Sequence, residues 1–108
     1  MNAKDKIILQ KIQKHIREAM SYTKGMTFEQ FMEDGKTVSA TAFVASQMGE
    51  LANSISSQTR EAYPTIPWKE LRGMRNRIIH DYENIDFAML WQTVTEDLPA
   101  LLKDFDRW

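Results

Sequence analysis

With 108 residues, 43% of them hydrophobic and 27% charged, the chain has the length and composition of one soluble globular domain over residues 1–108, too short for a catalytic domain plus a regulatory one. It has no cysteine, which excludes disulfides and thiolate metal sites and makes a reducing cytoplasm the simplest compartment. The net charge of −1 excludes a uniformly basic nucleic-acid binder, and no apolar run approaches the ~18 residues needed for a membrane helix.

The N-terminal Met1-Asn-Ala-Lys-Asp-Lys6 leads directly into an amphipathic pattern, with no signal-type apolar stretch. Ile8, Ile12, Ile16 and Ala19/Met20 recur at helical spacing and predict a first helix over about 4–23, stopped by Gly25. Thr27-Phe-Glu-Gln30 has the form of a capping box and opens a short helix that ends at Gly35. A long helix is expected from Thr37 to about Ser57, with Val38, Ala42, Ala45, Met48/Gly49, Ala52 and Ile55 on one face. The small residues Ala42, Ala45, Gly49 and Ala52 predict close approach of a neighbouring helix.

Tyr63-Pro-Thr-Ile-Pro67 breaks the pattern, and Pro67 suits the first turn of the next helix. That helix carries Trp68, Leu71, Met74, Ile78 and Ile79 to about Asp81. Asp86 is a natural N-cap for the last one, with Phe87, Leu90, Trp91, Val94, Leu98 and Leu101/Leu102; Pro99 is expected to kink or divide it. No segment alternates with a period of two. The expected fold is all-α: an antiparallel four-helix bundle with a short additional helix.

Charge is segregated along the chain. Residues 1–24 carry six Lys/Arg against two Asp/Glu, and residues 66–82 carry four against two. Residues 25–65 carry two against five, and the tail from 83 carries two against six. The basic segments could form one positive face after folding, although solvated helix faces are the simpler reading of charge alone.

Chemistry concentrates in Arg75-Asn-Arg-Ile-Ile-His80-Asp-Tyr82. Arg supplies a permanent forked phosphate ligand, and His is the side chain best matched to proton transfer near neutral pH. Together they suit phosphodiester chemistry without a metal. Asn76 and His80 share a helix face, whereas Arg75 lies about 140° around from His80 on an ideal helix. Tyr82 falls where the helix should end and could fold back beside the imidazole. By spacing alone, an ordinary basic helix explains the same residues. His15, beside Lys14 and Arg17, reads as a surface histidine, and Trp68, Trp91 and Trp108 as core or interface anchors. Two histidines 65 positions apart and the acidic Asp104-Phe-Asp106 offer no metal-ligand spacing, and no Gly-rich phosphate loop is present.

Tyr63-Pro-Thr-Ile-Pro-Trp68-Lys-Glu-Leu-Arg-Gly73-Met-Arg75-Asn76-Arg-Ile-Ile-His80-Asp-Tyr82 resembles the HEPN-domain ribonuclease toxins of the HepT type, whose signature is Arg, four residues, His, any residue, Tyr. Gln47-Met-Gly-Glu50-Leu, Ile85-Asp86 and Trp91-Gln-Thr-Val-Thr-Glu-Asp-Leu-Pro99-Ala-Leu extend the likeness over nearly the whole chain. Glu83-Asn84 replaces the aromatic residue and glycine that many relatives place after the motif tyrosine; Asn tolerates the left-handed conformation, so a turn there is expected to survive.

The resemblance implies a cytoplasmic, metal-independent ribonuclease with no cofactor. It would be a homodimer whose two motif copies face each other across a cleft, acting on tRNA with the 2′-hydroxyl as nucleophile. Arg75 and His80 would be catalytic, and Asn76 supporting. It also implies a separate nucleotidyltransferase antitoxin that transfers AMP to Tyr82. The alternative is a non-catalytic HEPN adaptor that binds nucleotide or a nucleotidyltransferase partner through the same cluster.

Overall fold

The computed structural model describes residues 1–105, with side chains to residue 102. Trp108 and Asp106, together with the side chain of Asp104, lie outside that description.

Helix α1 (Ala3–Thr23) starts on Asn2, whose side chain accepts from the Asp5 N–H. It ends at Gly25, which takes φ +76°, the left-handed conformation that closes a helix at little cost only with glycine. The capping box then forms as its sequence requires. Thr27 Oγ1 accepts from the Gln30 N–H at 3.1 Å and Gln30 Oε1 from the Thr27 N–H at 2.9 Å, opening α2 (Phe28–Glu33).

Helix α3 (Gly35–Ser54) begins two residues before the expected start, because Asp34 rather than a later residue is its cap, accepting from the Thr37 N–H at 3.2 Å. It also stops earlier than its apolar pattern suggests. Ile55 turns to an extended conformation while staying buried, and Ser56 caps a further short helix, α4 (Ser57–Ala62).

The cause of that break lies 51 residues away. The buried Asp5 carboxylate accepts from the Ser56 N–H at 3.2 Å, Ser56 Oγ at 2.5 Å and Thr59 Oγ1 at 2.6 Å. Burial pushes the carboxyl pKa up, but these hydrogen bonds outweigh it and hold the group below the usual carboxylate value.

Pro67 precedes α5 (Trp68–His80) as its cap, one position outside the first turn. Asp81 ends α5, a 3-10 turn covers Tyr82–Asn84, and Asp86 caps α6 (Phe87–Gln92) as expected, accepting from the Met89 N–H. Near Pro99 the last helix divides into two shorter segments, one of the two outcomes expected, but with no loop between them. The helix passes through a wide π turn (Thr93–Asp97), in which the Leu98 N–H reaches the Thr93 carbonyl, and continues as α7 (Leu98–Phe105). A proline at 99 has no N–H for the Thr95 carbonyl and its ring would crowd that oxygen; one wide turn just upstream relieves both.

The architecture is the expected all-α antiparallel bundle. Helix α3 lies at its centre, packed against α1 on one side and α5 on another, while the π turn and α7 close over α1. Its predicted face is the core: Val38, Ala42, Ala45, Met48, Ala52 and Ile55 are all buried against Ile8, Ile12, Ile16 and Ala19 of α1. Trp68 is buried and donates its indole N–H to the Tyr63 carbonyl, and Trp91 packs on Phe28 and Phe31. No helix among the described residues is long and apolar enough to cross a membrane.

Candidate active site

All of the chemistry-bearing cluster sits on α5 and the turn after it, and the packing of α5 on α3 decides how it is presented. The close helix approach that the small residues of α3 predict is seen at Gly49. A Cβ there would overlap the Arg75 Cβ and the Leu71 carbonyl oxygen. The stem of Arg75 is therefore pinned against the α3 backbone.

The guanidinium is held at two further points. Arg75 Nε lies 2.8 Å from Glu50 Oε2, with its N–H not aligned for a hydrogen bond, and Nη1 donates to Asn76 Oδ1 at 3.0 Å. Glu50 is mostly exposed and the Arg75 side chain about a quarter so. The guanidinium end is thus directed to the surface with donors left for an anion.

The structure brings Arg75 and Asn76 together but leaves His80 apart. His80 is exposed in the last turn of α5, and its side chain has no hydrogen bond or ion pair among the described residues. The imidazole is free to meet a substrate, and Asn76, one turn back, is the member of the cluster that shares its face.

Tyr82 lies in the 3-10 turn, 42% exposed, with its ring edge-on to Phe87 at a centroid distance of 5.9 Å. Its ring thus packs against the first residue of α6. The turn also survives the Glu83-Asn84 departure by a different route from the one expected. Among the described residues no non-glycine has positive φ; instead Asn84 Nδ2 donates to Asp81 Oδ1 at 2.7 Å.

Glu50, which meets Arg75, was not among the residues expected at the site. Its signals are its place beside Gly49, itself marked by the run of small residues, and its presence in the Gln47-Met-Gly-Glu50-Leu stretch of the resemblance. His15 differs from its surface reading, being part-buried with Nδ1 3.4 Å from Glu18 Oε1. Among the described residues no three His, Asp or Glu side chains gather as a metal site.

A guanidinium with donors left over can take an anion and an exposed imidazole can move protons, but one copy of the chain does not join the two groups by any hydrogen bond among the described residues. Comparison with known proteins bears on what the two groups act on. The family described as ribonuclease HepT-like matches residues 12–107. A protein of Thermococcus cleftensis named probable ribonuclease HepT is 34% identical over 107 residues, covering 99% of this chain and 97% of its own. A proposed RNase of Methanocaldococcus jannaschii is 32% identical over 102 residues, covering 94% and 84%. One from Caldanaerobacter subterraneus is 37% identical over 82 residues, covering 74% and 71%. No solved structure matches the chain.

Proposed function

The chain belongs to the HepT-like ribonuclease family, and from that premise we propose that it is the toxin of a prokaryotic toxin–antitoxin pair, cleaving RNA at a site shared by two copies of the chain. It is a ribonuclease by that membership; the toxin role, the dimeric site and the finer chemistry are our reading.

The observation that carries the reading is the separation of Arg75 from His80. Arg75 is pinned on the α3 side of its helix by Gly49 and Glu50, while His80 stands exposed about 140° around the same helix. A second copy related by two-fold symmetry would place one chain's Arg75 and Asn76 near the other's His80. Phe43 on α3 and Ile79 on α5, 62% and 54% exposed, supply apolar surface on the two helices that would face such a copy.

In the reaction, His80 of one copy takes the proton of the RNA 2′-hydroxyl, whose oxygen attacks the adjacent phosphorus. The bond from phosphorus to the 5′-oxygen breaks, the leaving oxygen receives a proton from His80 of the second copy, and a 2′,3′-cyclic phosphate remains. Arg75 balances charge on the phosphoryl oxygens, and Asn76 holds the guanidinium in place. No step calls on a metal. The substrate is tRNA and the compartment cytoplasmic.

Control falls to Tyr82, whose exposed hydroxyl would attack the α-phosphate of ATP on a nucleotidyltransferase antitoxin, displacing pyrophosphate. The added nucleotide brings negative charge and bulk beside the site, opposing RNA on both grounds.

The test is purified protein incubated with total cellular RNA without divalent metal, beside His80→Ala. The expected outcome is cleavage to cyclic-phosphate ends by the parent and none by the variant. An equally active His80→Ala protein would remove His80 from the chemistry.

A further inference from the structure

The far side of α5 from Arg75 borders a cavity of about 270 Å³ between α5 and α6 that the proposed chemistry does not use. Its floor is apolar, formed by Met74, Ile85 and the half-exposed Met89. Its α5 wall is formed by Lys69, Gly73 and Arg77, spaced four residues apart on one helix face. Lys69 and Arg77 are about 12 Å apart along the axis. Neither is ion-paired among the described residues, although Glu70 and Asp86 line the same groove.

Gly73 stands midway between the two cations. Glycine inside a helix costs roughly 1 kcal/mol relative to alanine. At Gly49 close packing accounts for the residue, whereas at Gly73 an added Cβ would meet nothing within 4 Å and φ is not positive. The chain's own packing therefore gives no reason for a glycine at 73; the clearance opens into the groove. His80 lies one turn beyond Arg77 and within about 60° of it around the helix, so the groove runs toward the imidazole.

Resting on the ribonuclease reading above, we infer that this groove is a substrate subsite. It holds a nucleotide flanking the scissile bond, with its base on Met74, Ile85 and Met89 and its backbone crossing Gly73 between Lys69 and Arg77. Charge complementarity selects the occupant. The two cations are uncommitted, whereas Asp86 is occupied in capping α6, so Glu70 is the one carboxylate left to oppose a phosphate. An apolar floor between spaced cations matches a single strand, whose bases are free to leave a stack.

The test measures binding of a fluorescein-labelled, fully 2′-O-methylated RNA decamer, which lacks the nucleophilic hydroxyl, by anisotropy to the full chain and its variants. Gly73→Leu, which fills the groove and replaces a poor helix former by a good one, should weaken binding at least tenfold and raise KM for cleavage more than it lowers kcat. Lys69→Gln with Arg77→Gln should flatten the dependence of log affinity on log salt by about 1.4, two phosphate contacts at roughly 0.7 each. Glu70→Gln should tighten binding.

Unchanged decamer affinity in Gly73→Leu overturns the proposal. So does unchanged affinity accompanied by altered self-association, which would assign the groove to a second copy. The two readings separate cleanly: unchanged affinity in Gly73→Leu with cleavage lost in His80→Ala removes the subsite alone. Undiminished cleavage by His80→Ala removes the active-site assignment, whatever the groove variants do.

Discussion

Gly49 of α3 and Arg75 of α5 meet with no room for a side chain between them, since a Cβ on Gly49 would overlap the Arg75 Cβ and the Leu71 carbonyl oxygen. The contact ties the packing of the bundle to the placement of a site residue. It also distinguishes two glycines that look alike in the sequence.

Gly49→Ala should therefore destabilise the fold by about 1–3 kcal/mol, the usual range for overpacking, and lower kcat/KM as α5 shifts away. Gly73→Ala, with open space around its Cβ, should instead stabilise by about 0.5–1 kcal/mol. Urea unfolding of the two variants checks both signs. A stable, fully active Gly49→Ala protein would contradict the packing seen here.

Arg75→Lys should lose roughly a hundredfold in kcat with little change in stability. Arg75 meets Glu50 through Nε and Asn76 through Nη1 while keeping further donors in the same plane, which a single ammonium cannot do. Glu50→Ala removes an exposed ion pair, so its effect on stability should stay under about 1 kcal/mol while kcat falls as the guanidinium loses its orientation. Single-turnover rates beside melting curves separate the two effects.

Tyr82→Phe should fold and cleave RNA as the parent does, because the ring keeps its contact with Phe87 and loses only the hydroxyl. On the proposed control mechanism it should escape neutralisation by a co-expressed nucleotidyltransferase. Intact-mass spectrometry should show added AMP on the parent and none on the variant. A neutralised Tyr82→Phe protein would place inhibition in binding rather than modification.

Acid should weaken the fold through two carboxylates, the buried Asp5 and the cap Asp34. Burial raises the Asp5 pKa, but hydrogen bonds from Ser56 and Thr59 outweigh it, and bonds from the Thr37 N–H and hydroxyl lower Asp34. Both carboxyls bind their proton less tightly when folded than when unfolded. Their contribution is full above the unfolded value of about 4 and is lost as pH falls through the lower folded value. Melting temperature should hold from neutrality to about pH 5 and drop below pH 4. Asp5→Asn should cost about 1–3 kcal/mol at neutral pH and make that drop shallower. An unfolding free energy equal to the parent's at pH 7 would show the junction to be incidental.

The residues themselves mark most of the helices. The capping box at Thr27, the stop at Gly25 and the cap at Asp86 act within four residues, so their sequence patterns and their structures coincide. The end of α3 was not legible. The apolar period runs on through Ile55, and the break goes with Asp5, a buried charged residue near the start of α1 that is far away in the chain. Pro99 signalled a disturbance but not its form, because a kink, a break and a π turn all satisfy a missing N–H.

Taken alone, the sequence determined an all-helical bundle, a close helix approach at the small residues, and the place of Arg75, His80 and Tyr82 near the end of one helix. Periodicity, caps and spacing are local properties, carried by neighbouring residues. Tertiary structure alone decided that Gly49 and Glu50 orient Arg75 while His80 stands exposed, that Tyr82 rests on Phe87, and that Gly73 borders a groove between α5 and α6. Each of these depends on which helix faces are brought into contact, a relationship set by packing between segments far apart in the chain.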